Sequence, residues 1–291
     1  MIPGPFEYHR PGTLDEAVAL LASLGDDAKI ISGGHSLIPM MKLRLAEPAH
    51  LVDISGLDGL DYIRESDGYL TIGALTCEAA VDRSDLIHSK YPIISDTAHV
   101  IADPLVRNLA TIGGNLAHGD PANDHPATML ALGAEVVVSG PNGSRTIGID
   151  DFFLGPLTTA LGADEILTEI RIPTPPANSG GAYIKFERKV GDFAIAAVAA
   201  TVTLDADGNC VKAGIGLTNV GPTPVRAKAA EEALTGNPLT DDNIATAGRL
   251  ASEASQPISD HRGSEEYKRA IVEVLTKRAL YKAKSRAEGG S

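Results

Sequence analysis

Apolar residues recur at helical spacing from Leu14 through Ala17, Val18 and Leu21 to Leu24, which predicts an amphipathic helix. Thr13 and Glu16 frame its start as a capping box, their side chains accepting first-turn N–H groups, and Gly25 stops it. Ala28–Ser32 and His50–Ser55 read as short buried strands. This strand–helix alternation predicts a small α/β unit with parallel pairing over about residues 1–56. Leu37–Leu45, with Pro39 near its start, fits neither period clearly.

The texture changes after residue 56. Asp61–Arg64 and Tyr69–Ala74 flank Glu65-Ser66-Asp67-Gly68, and Glu135–Val138 and Ser144–Ile147 flank Pro141-Asn142-Gly143; both read as hairpins. Ile166–Ile172 alternates apolar and polar residues like a half-exposed strand, and helices are expected near 76–83, 90–99 and 125–132. The expected fold class is α+β, with a mixed-sheet subdomain over 57–176. Pro173–Gly181, rich in Pro, Ser and Gly, reads as a linker. Beyond it, Ala182–Arg188, Phe193–Leu204 and Cys210–Thr218 predict an antiparallel meander. Three helices follow at about 224–235, 241–254 and 264–286. Two domains result, 1–176 and 177–291.

Composition narrows the function. Twenty-five basic residues against 38 acidic ones leave a net charge of −13, so nucleic acid and anionic membranes are poor partners. The most apolar run, Ala194–Leu204, is too short to span a bilayer, and the N-terminus lacks the pattern of a secretory signal; a cytoplasmic location is the expectation. Only Cys77 and Cys210 occur, too few for a four-Cys zinc or iron–sulfur centre.

The 30 glycines include two pairs in polar settings: Ser32-Gly33-Gly34-His35-Ser36, directly after a predicted strand, and Thr111-Ile112-Gly113-Gly114-Asn115. Glycine pairs let backbone N–H groups converge on an anion, and flanking hydroxyls add donors. Either segment alone is equally a tight turn; together they suit a diphosphate. Neither the Gly-x-Gly-x-x-Gly fingerprint after the first strand nor a P-loop occurs, so Rossmann and P-loop sites are unsupported. His118, Asp120, Asp124 and His125 match no common metal spacing, and no metal is expected.

The segments Ser-Gly-Gly-His-Ser-Leu-Ile-Pro-Met-Met-Lys-Leu-Arg-Leu (32–45), Asp103–Asn108 running into Thr111–Asp124, and Thr218–Ala227 resemble the flavoprotein medium subunits of molybdenum hydroxylases, the family of the carbon monoxide dehydrogenase medium subunit and the xanthine dehydrogenase FAD subunit. The resemblance runs nearly end to end. It implies a p-cresol methylhydroxylase-type FAD-binding domain followed by a C-terminal domain of antiparallel sheet plus three helices. It also implies non-covalent FAD, with Ser32, Gly33, Gly34, His35, Ser36 and Leu37 and Thr111, Ile112, Gly113, Gly114 and Asn115 on its pyrophosphate.

Individual residues keep alternatives. His35 supports the turn, lies beside the cofactor, or bonds covalently to flavin, as a similar Gly-Gly-His-Ser does in some stand-alone oxidases. Asp124 reads as the N-cap of the 125–132 helix, and the resemblance adds a contact with FAD. Ile166 is a cofactor contact or a core residue. Lys185 lies on a solvated strand face, or puts its ammonium near the flavin pyrimidine edge, where positive charge raises the potential. Phe193 packs in the core or against the isoalloxazine. Arg107 and Asn108 brace the second loop. Lys268, Arg269, Lys277, Arg278, Lys282, Lys284 and Arg286 read as a solvated or subunit-contacting helix face.

The implied function is electron transfer. A large partner carries the molybdenum cofactor and a small one the [2Fe–2S] clusters, in a dimer of heterotrimers, and FAD on this chain passes electrons to an external acceptor. Two other readings remain: a self-sufficient flavin oxidase of the same fold, and a non-catalytic nucleotide-binding assembly protein.

Overall fold

A computed structural model describes residues 2–290. The first unit holds β1 (Glu7–His9), α1 (Leu14–Leu24), β2 (Ala28–Ile31), α2 (Leu37–Lys42) and β3 (His50–Asp53). Its sheet is parallel in the order β1-β3-β2, as the alternation predicts; β1 carries no sequence signal. The Thr13 hydroxyl accepts the Glu16 N–H at 3.2 Å, but the Glu16 carboxylate accepts from Gly12, one residue earlier than a capping box requires. Ala17, Val18 and Leu21 pack against Val52 and Ile54.

The second unit holds β4 (Ile63–Ser66), β5 (Tyr69–Gly73), α3 (Glu78–Arg83), α4 (Asp85–Lys90), α5 (Pro92–His99), α6 (Pro104–Arg107), α7 (Ile112–His118), α8 (His125–Leu132), β6 (Glu135–Gly140), β7 (Gly143–Gly148), β8 (Phe153–Gly155), β9 (Thr158–Thr159) and β10 (Ile166–Pro173). Both expected hairpins form, as β4–β5 and β6–β7. The five-stranded sheet, β4-β5-β10-β6-β7, is antiparallel at every pairing rather than mixed. β10 is its central strand, and both of its faces are covered over residues 166–170, which are all buried, against the expectation of a half-exposed strand. Helices α4, α6 and α7 are additional to the expected three. Each is at most seven residues long, too short for a periodic signal.

β11 (Ser179–Phe186) starts two residues before the expected linker ends, and its Gly180 and Gly181 are strand residues. With β12 (Ala196–Leu204), β13 (Cys210–Thr218) and β14 (Val225–Arg226) it forms an antiparallel sheet. The helices α9 (Lys228–Leu234), α10 (Asp241–Ala254) and α11 (Glu265–Ala287) cover one face. The other face meets the preceding unit. Residues 125–131 of α8 are all buried, and α8 lies flat on β13. A Cβ at Gly214 would sit 2.0 Å from the Ala131 carbonyl, and one at Gly216 2.0 Å from that of Ala127. β12 therefore buries both faces: Ala197 and Ala199 join the core of the second unit, and Ala196, Val198 and Ala200 pack under the C-terminal helices.

The basic face of the last helix is only partly solvated: Arg278 is exposed, but other members are engaged within the fold. Lys268 is buried on Asp260. Lys282 and Arg286 reach across to Asp96 on α5, whose carboxylate accepts from Lys282 Nζ at 3.1 Å, from Arg286 at 2.6 Å and from the Tyr183 N–H at 3.3 Å. Removing a carboxylate that faces two cations leaves both under-compensated. Asp96→Ala is expected to cost about 3 kcal/mol, read as a lower urea midpoint; a midpoint equal to that of the unaltered chain would show that the clamp carries no stability.

Candidate functional site

The first glycine turn follows β2 and opens α2. Gly34 has φ +73°, a conformation open to glycine at little cost. The N–H groups of Gly33, Gly34, His35, Ser36 and Leu37 donate to no group among the described residues. His35 and Ser36 are exposed. Five unengaged donors on one turn into a helix start form an anion-binding concavity.

The second turn is built differently. Thr111 is the N-cap of α7, and its hydroxyl accepts the Gly114 N–H at 3.2 Å. The Ile112 and Gly113 N–H groups donate to the carbonyls of Thr76 and Ala74 at 3.0 Å each, and that of Asn115 to the Thr111 carbonyl at 2.9 Å. The amides of 112–115 are thus engaged, and the expectation that both turns offer peptide hydrogens holds only for the first. What the second offers is side chains: the Thr111 hydroxyl and the Asn115 amide. Its glycines serve packing, since a Cβ at Gly113 would fall 2.5 Å from that of Ala74.

The two turns touch. Ser32 Oγ and Thr111 Oγ1 lie 3.0 Å apart, 79 residues apart in sequence. A Cβ at Gly33 would sit 2.2 Å from the Leu109 carbonyl, and one at Gly114 would sit 3.1 Å from Ser32 Oγ. Arg107 braces the segment before the second turn by donating to the Ile101 carbonyl at 2.9 Å.

From Thr111 the contacts continue to the C-terminal sheet. The Asn123 side chain donates to the Asn115 carbonyl at 2.7 Å. Asp124, its neighbour, is buried, and its side chain caps nothing. The carboxylate instead accepts from the Tyr183 hydroxyl at 2.5 Å and from Lys185 Nζ at 3.0 Å. Burial pushes the Asp124 carboxyl up, opposed by Lys185 and Tyr183, while burial beside Asp124 pushes the Tyr183 phenol well up. Lys185 is not on a solvated face: its side chain is 3% exposed and also pairs with Glu187 at 3.4 Å and with the Val100 carbonyl. One cation between two carboxylates leaves the triad at net −1 when all three are ionised, so no free positive charge stands there.

Glu187 also accepts from the Gly191 N–H at 3.3 Å, and Asp192 accepts from Arg262 at 3.0 Å. Together these hold the loop that carries Phe193, which is 48% exposed rather than packed in the core. Ile166 stands apart: it is buried in the core of the first unit, beside Leu60 and Leu75. Sequence reasoning misses Tyr183, Glu187 and Arg262, although Tyr183, Lys185 and Glu187 share the period of 2 that puts them on one side of the chain. It also misses the Glu78–His125 pair, fully buried with 2.7 Å between His125 Nε2 and Glu78 Oε2, which carries no local signal.

Among the described residues, the buried side-chain atoms without a hydrogen-bond partner are Glu78 Oε1, Asn115 Oδ1, His125 Nδ1, Glu187 Oε2 and Arg262 Nε. Such atoms are rare in folded proteins and call for a ligand or water. Asn115, Glu187 and Arg262 belong to the run of contacts just described. Donors on the first turn and the orphaned Asn115 Oδ1 acceptor beyond the second match a dinucleotide, whose diphosphate accepts and whose sugar hydroxyls donate. The residues present fit FAD.

Two sequence families match the chain: residues 4–175 match the FAD binding domain in molybdopterin dehydrogenase, and residues 181–283 the CO dehydrogenase flavoprotein C-terminal domain. The chain therefore belongs to the FAD-binding subunit family of the molybdenum hydroxylases. Within that family it is of the carbon monoxide dehydrogenase medium-chain type, the flavoprotein subunit of an oxidoreductase. It is 48% identical over 288 residues to the carbon monoxide dehydrogenase medium chain of Afipia carboxidovorans, spanning 99% of this chain and 100% of that one. It is 38% identical to subunit alpha of the 6-hydroxypseudooxynicotine dehydrogenase complex of Paenarthrobacter nicotinovorans, spanning 99% and 97%. The solved carbon monoxide dehydrogenase of Hydrogenophaga pseudoflava that lacks the Mo-pyranopterin moiety superposes with TM-score 0.96 at 47% identity, spanning 98% and 99%.

Two predictions follow from this geometry. Gly34→Ala strains a positive-φ turn and crowds Ile38. Losing one charge-assisted amide contact, roughly 1.5–3 kcal/mol, should weaken FAD by about one to two orders of magnitude; unchanged flavin affinity on fluorescence titration would remove the first turn from the site. Lys185→Met leaves Asp124 buried without its cation, a loss of about 3–5 kcal/mol, whereas Lys185→Met with Asp124→Asn should recover part of that in a urea-unfolding double-mutant cycle. Additive effects would mean that the two groups do not pair.

Proposed function

We propose that this chain binds FAD without a covalent bond and relays electrons as the medium subunit of a heteromeric molybdenum hydroxylase. Substrate is oxidised at a molybdenum cofactor in a large partner, and electrons cross [2Fe–2S] clusters in a small partner before reaching this chain. They then leave to an external acceptor. The assembly we propose is a dimer of heterotrimers, and the division of labour within the chain is a cofactor domain at 1–176 and a covering domain at 177–291.

The observation that carries this reading is the set of unengaged amides over 33–37 on the turn that the Ser32–Thr111 hydroxyl pair joins to the second turn. When bound, FAD supplies a centre that exchanges one or two electrons. The chain's own residues do the rest. Amides of 33–37 and the two hydroxyls hold the diphosphate, and their fixed dipoles replace the water it loses. Asn115 Oδ1 accepts from a cofactor hydroxyl, and Gly33 lets the turns close without a Cβ between them. The Asp124–Tyr183–Lys185 cluster fixes the C-terminal sheet against the cofactor domain, and the Asp192–Arg262 pair sets the position of Phe193. Two cysteines, far apart in sequence, leave the clusters to other chains. The curated relatives, named as medium chains and subunits, favour this reading over a self-sufficient oxidase.

The test is purification from the native source with cofactor and metal analysis. One FAD per chain, released into the supernatant by acid, with molybdenum and iron in co-eluting chains, is the expected outcome. Flavin retained in the acid pellet would replace non-covalent binding with a covalent bond such as one to His35. A chain that elutes alone and takes up no FAD would overturn the proposal.

A further inference from the structure

The face of the parallel sheet that carries Val52 holds a cluster that the cofactor site does not use. β1 pairs with β3 so that Glu7 stands opposite His50 and His9 opposite Val52. Side chains alternate along strands, so Glu7, His9 and His50 point to one side. Tyr8 and Asp53, bonded to each other, point to the opposite side.

His9 Nε2 and His50 Nδ1 are 3.1 Å apart, and His50 Nδ1 is 3.5 Å from Glu7 Oε2. One ligand atom from each of the three residues lies within 4.8 Å of the other two. Four ligands placed tetrahedrally at about 2.0–2.1 Å from a zinc ion stand roughly 3.3–3.4 Å from each other. Two of the three edges straddle that length and the third, between His9 and Glu7, lies within 4.8 Å, so an ion enters when the exposed Glu7 side chain swings toward the two rings. Both imidazoles are half-buried and Glu7 is exposed, which leaves a fourth position open to water.

We propose that Glu7, His9 and His50 form a binding site for a divalent first-row transition ion, with zinc as the test ion. Two imidazoles and one carboxylate suit zinc better than calcium or magnesium, which prefer all-oxygen shells. The net charge of −13 favours cation approach. Binding puts the remaining ring proton on His9 Nδ1 and on His50 Nε2, so the hydrogen bond between the rings is exchanged for two metal–nitrogen bonds without loss of a proton. Bound there, the ion ties β1, a three-residue edge strand, to β3. The proposal is independent of flavin binding.

The experiment is a competition titration of the full chain with Zn2+ against a chromophoric chelator. It is run on the unaltered protein and on His9→Gln, His50→Gln and Glu7→Gln, each checked by circular dichroism. One equivalent bound with a dissociation constant below about 10 μM is expected, weakened at least tenfold by each histidine change and less by Glu7→Gln. Co2+ should give the visible absorption of a tetrahedral centre in the unaltered chain alone. Binding weaker than about 100 μM would overturn the site. So would tight binding that His9→Gln and His50→Gln leave intact, because the ion would then sit elsewhere.

Discussion

Two glycine turns meet because one residue has no side chain. At Gly33 a single methyl group would overlap the Leu109 carbonyl, and backbone atoms at a helix-cap turn cannot move aside as a flexible side chain can. The contact brings residue 32, at the start of the turn with the unengaged amides, against residue 111, the N-cap of α7, through paired hydroxyls. The second turn spends its own amides on Thr76, Ala74 and Thr111, so it forms a rigid wall rather than a second set of donors. A rigid wall has an advantage here: the first turn can stay undersatisfied without collapsing, because the segment opposite is already fully bonded.

The C-terminal unit is not a separate body on a tether. Gly214 and Gly216 let α8 lie directly on β13, and Ala197 and Ala199 of β12 finish a core that begins in the preceding sheet. Breaking that contact would expose two apolar faces at once, at about 25 cal/mol for each Å2. The charged groups across the boundary are secured by it: Asp124 with Lys185, Asp96 with Lys282 and Arg286, and Asp150 with Arg226 at 2.6 Å. Buried and half-buried ion pairs of this sort contribute little net stability against their desolvation, but they discriminate between one relative placement of the units and any other.

Much of the framework was legible because it is local. The helix at 14–24, both hairpins and the C-terminal meander depend on periodicity and turn residues within short windows, and they form where expected. The failures share a cause, which is that burial on a second face leaves no trace in a strand's own pattern. Ile166–Ile172 alternates like a half-exposed strand, yet residues 166–170 are all buried. Gly180 and Gly181 read as linker, yet they are strand positions where α11 and Ile93 come close. At the site, the resemblance located the turns, but only the hydrogen bonds reveal that one turn has free amides and the other does not. Lys185 illustrates the same limit: its residue type suggested a positive charge, and its two carboxylate partners lie 61 positions before it and two after.

That neutralisation changes where the site's electrostatic character must come from. A lone ammonium would have provided a positive field. With Asp124 and Glu187 at 3.0 and 3.4 Å from it, the ammonium is screened on two sides in a region with little water. Fixed backbone dipoles on the first turn are the remaining unneutralised donors among the groups described, because Arg262 is paired with Asp192 at 3.0 Å. They differ from lysine in one respect: amides do not titrate. The field they set is independent of pH.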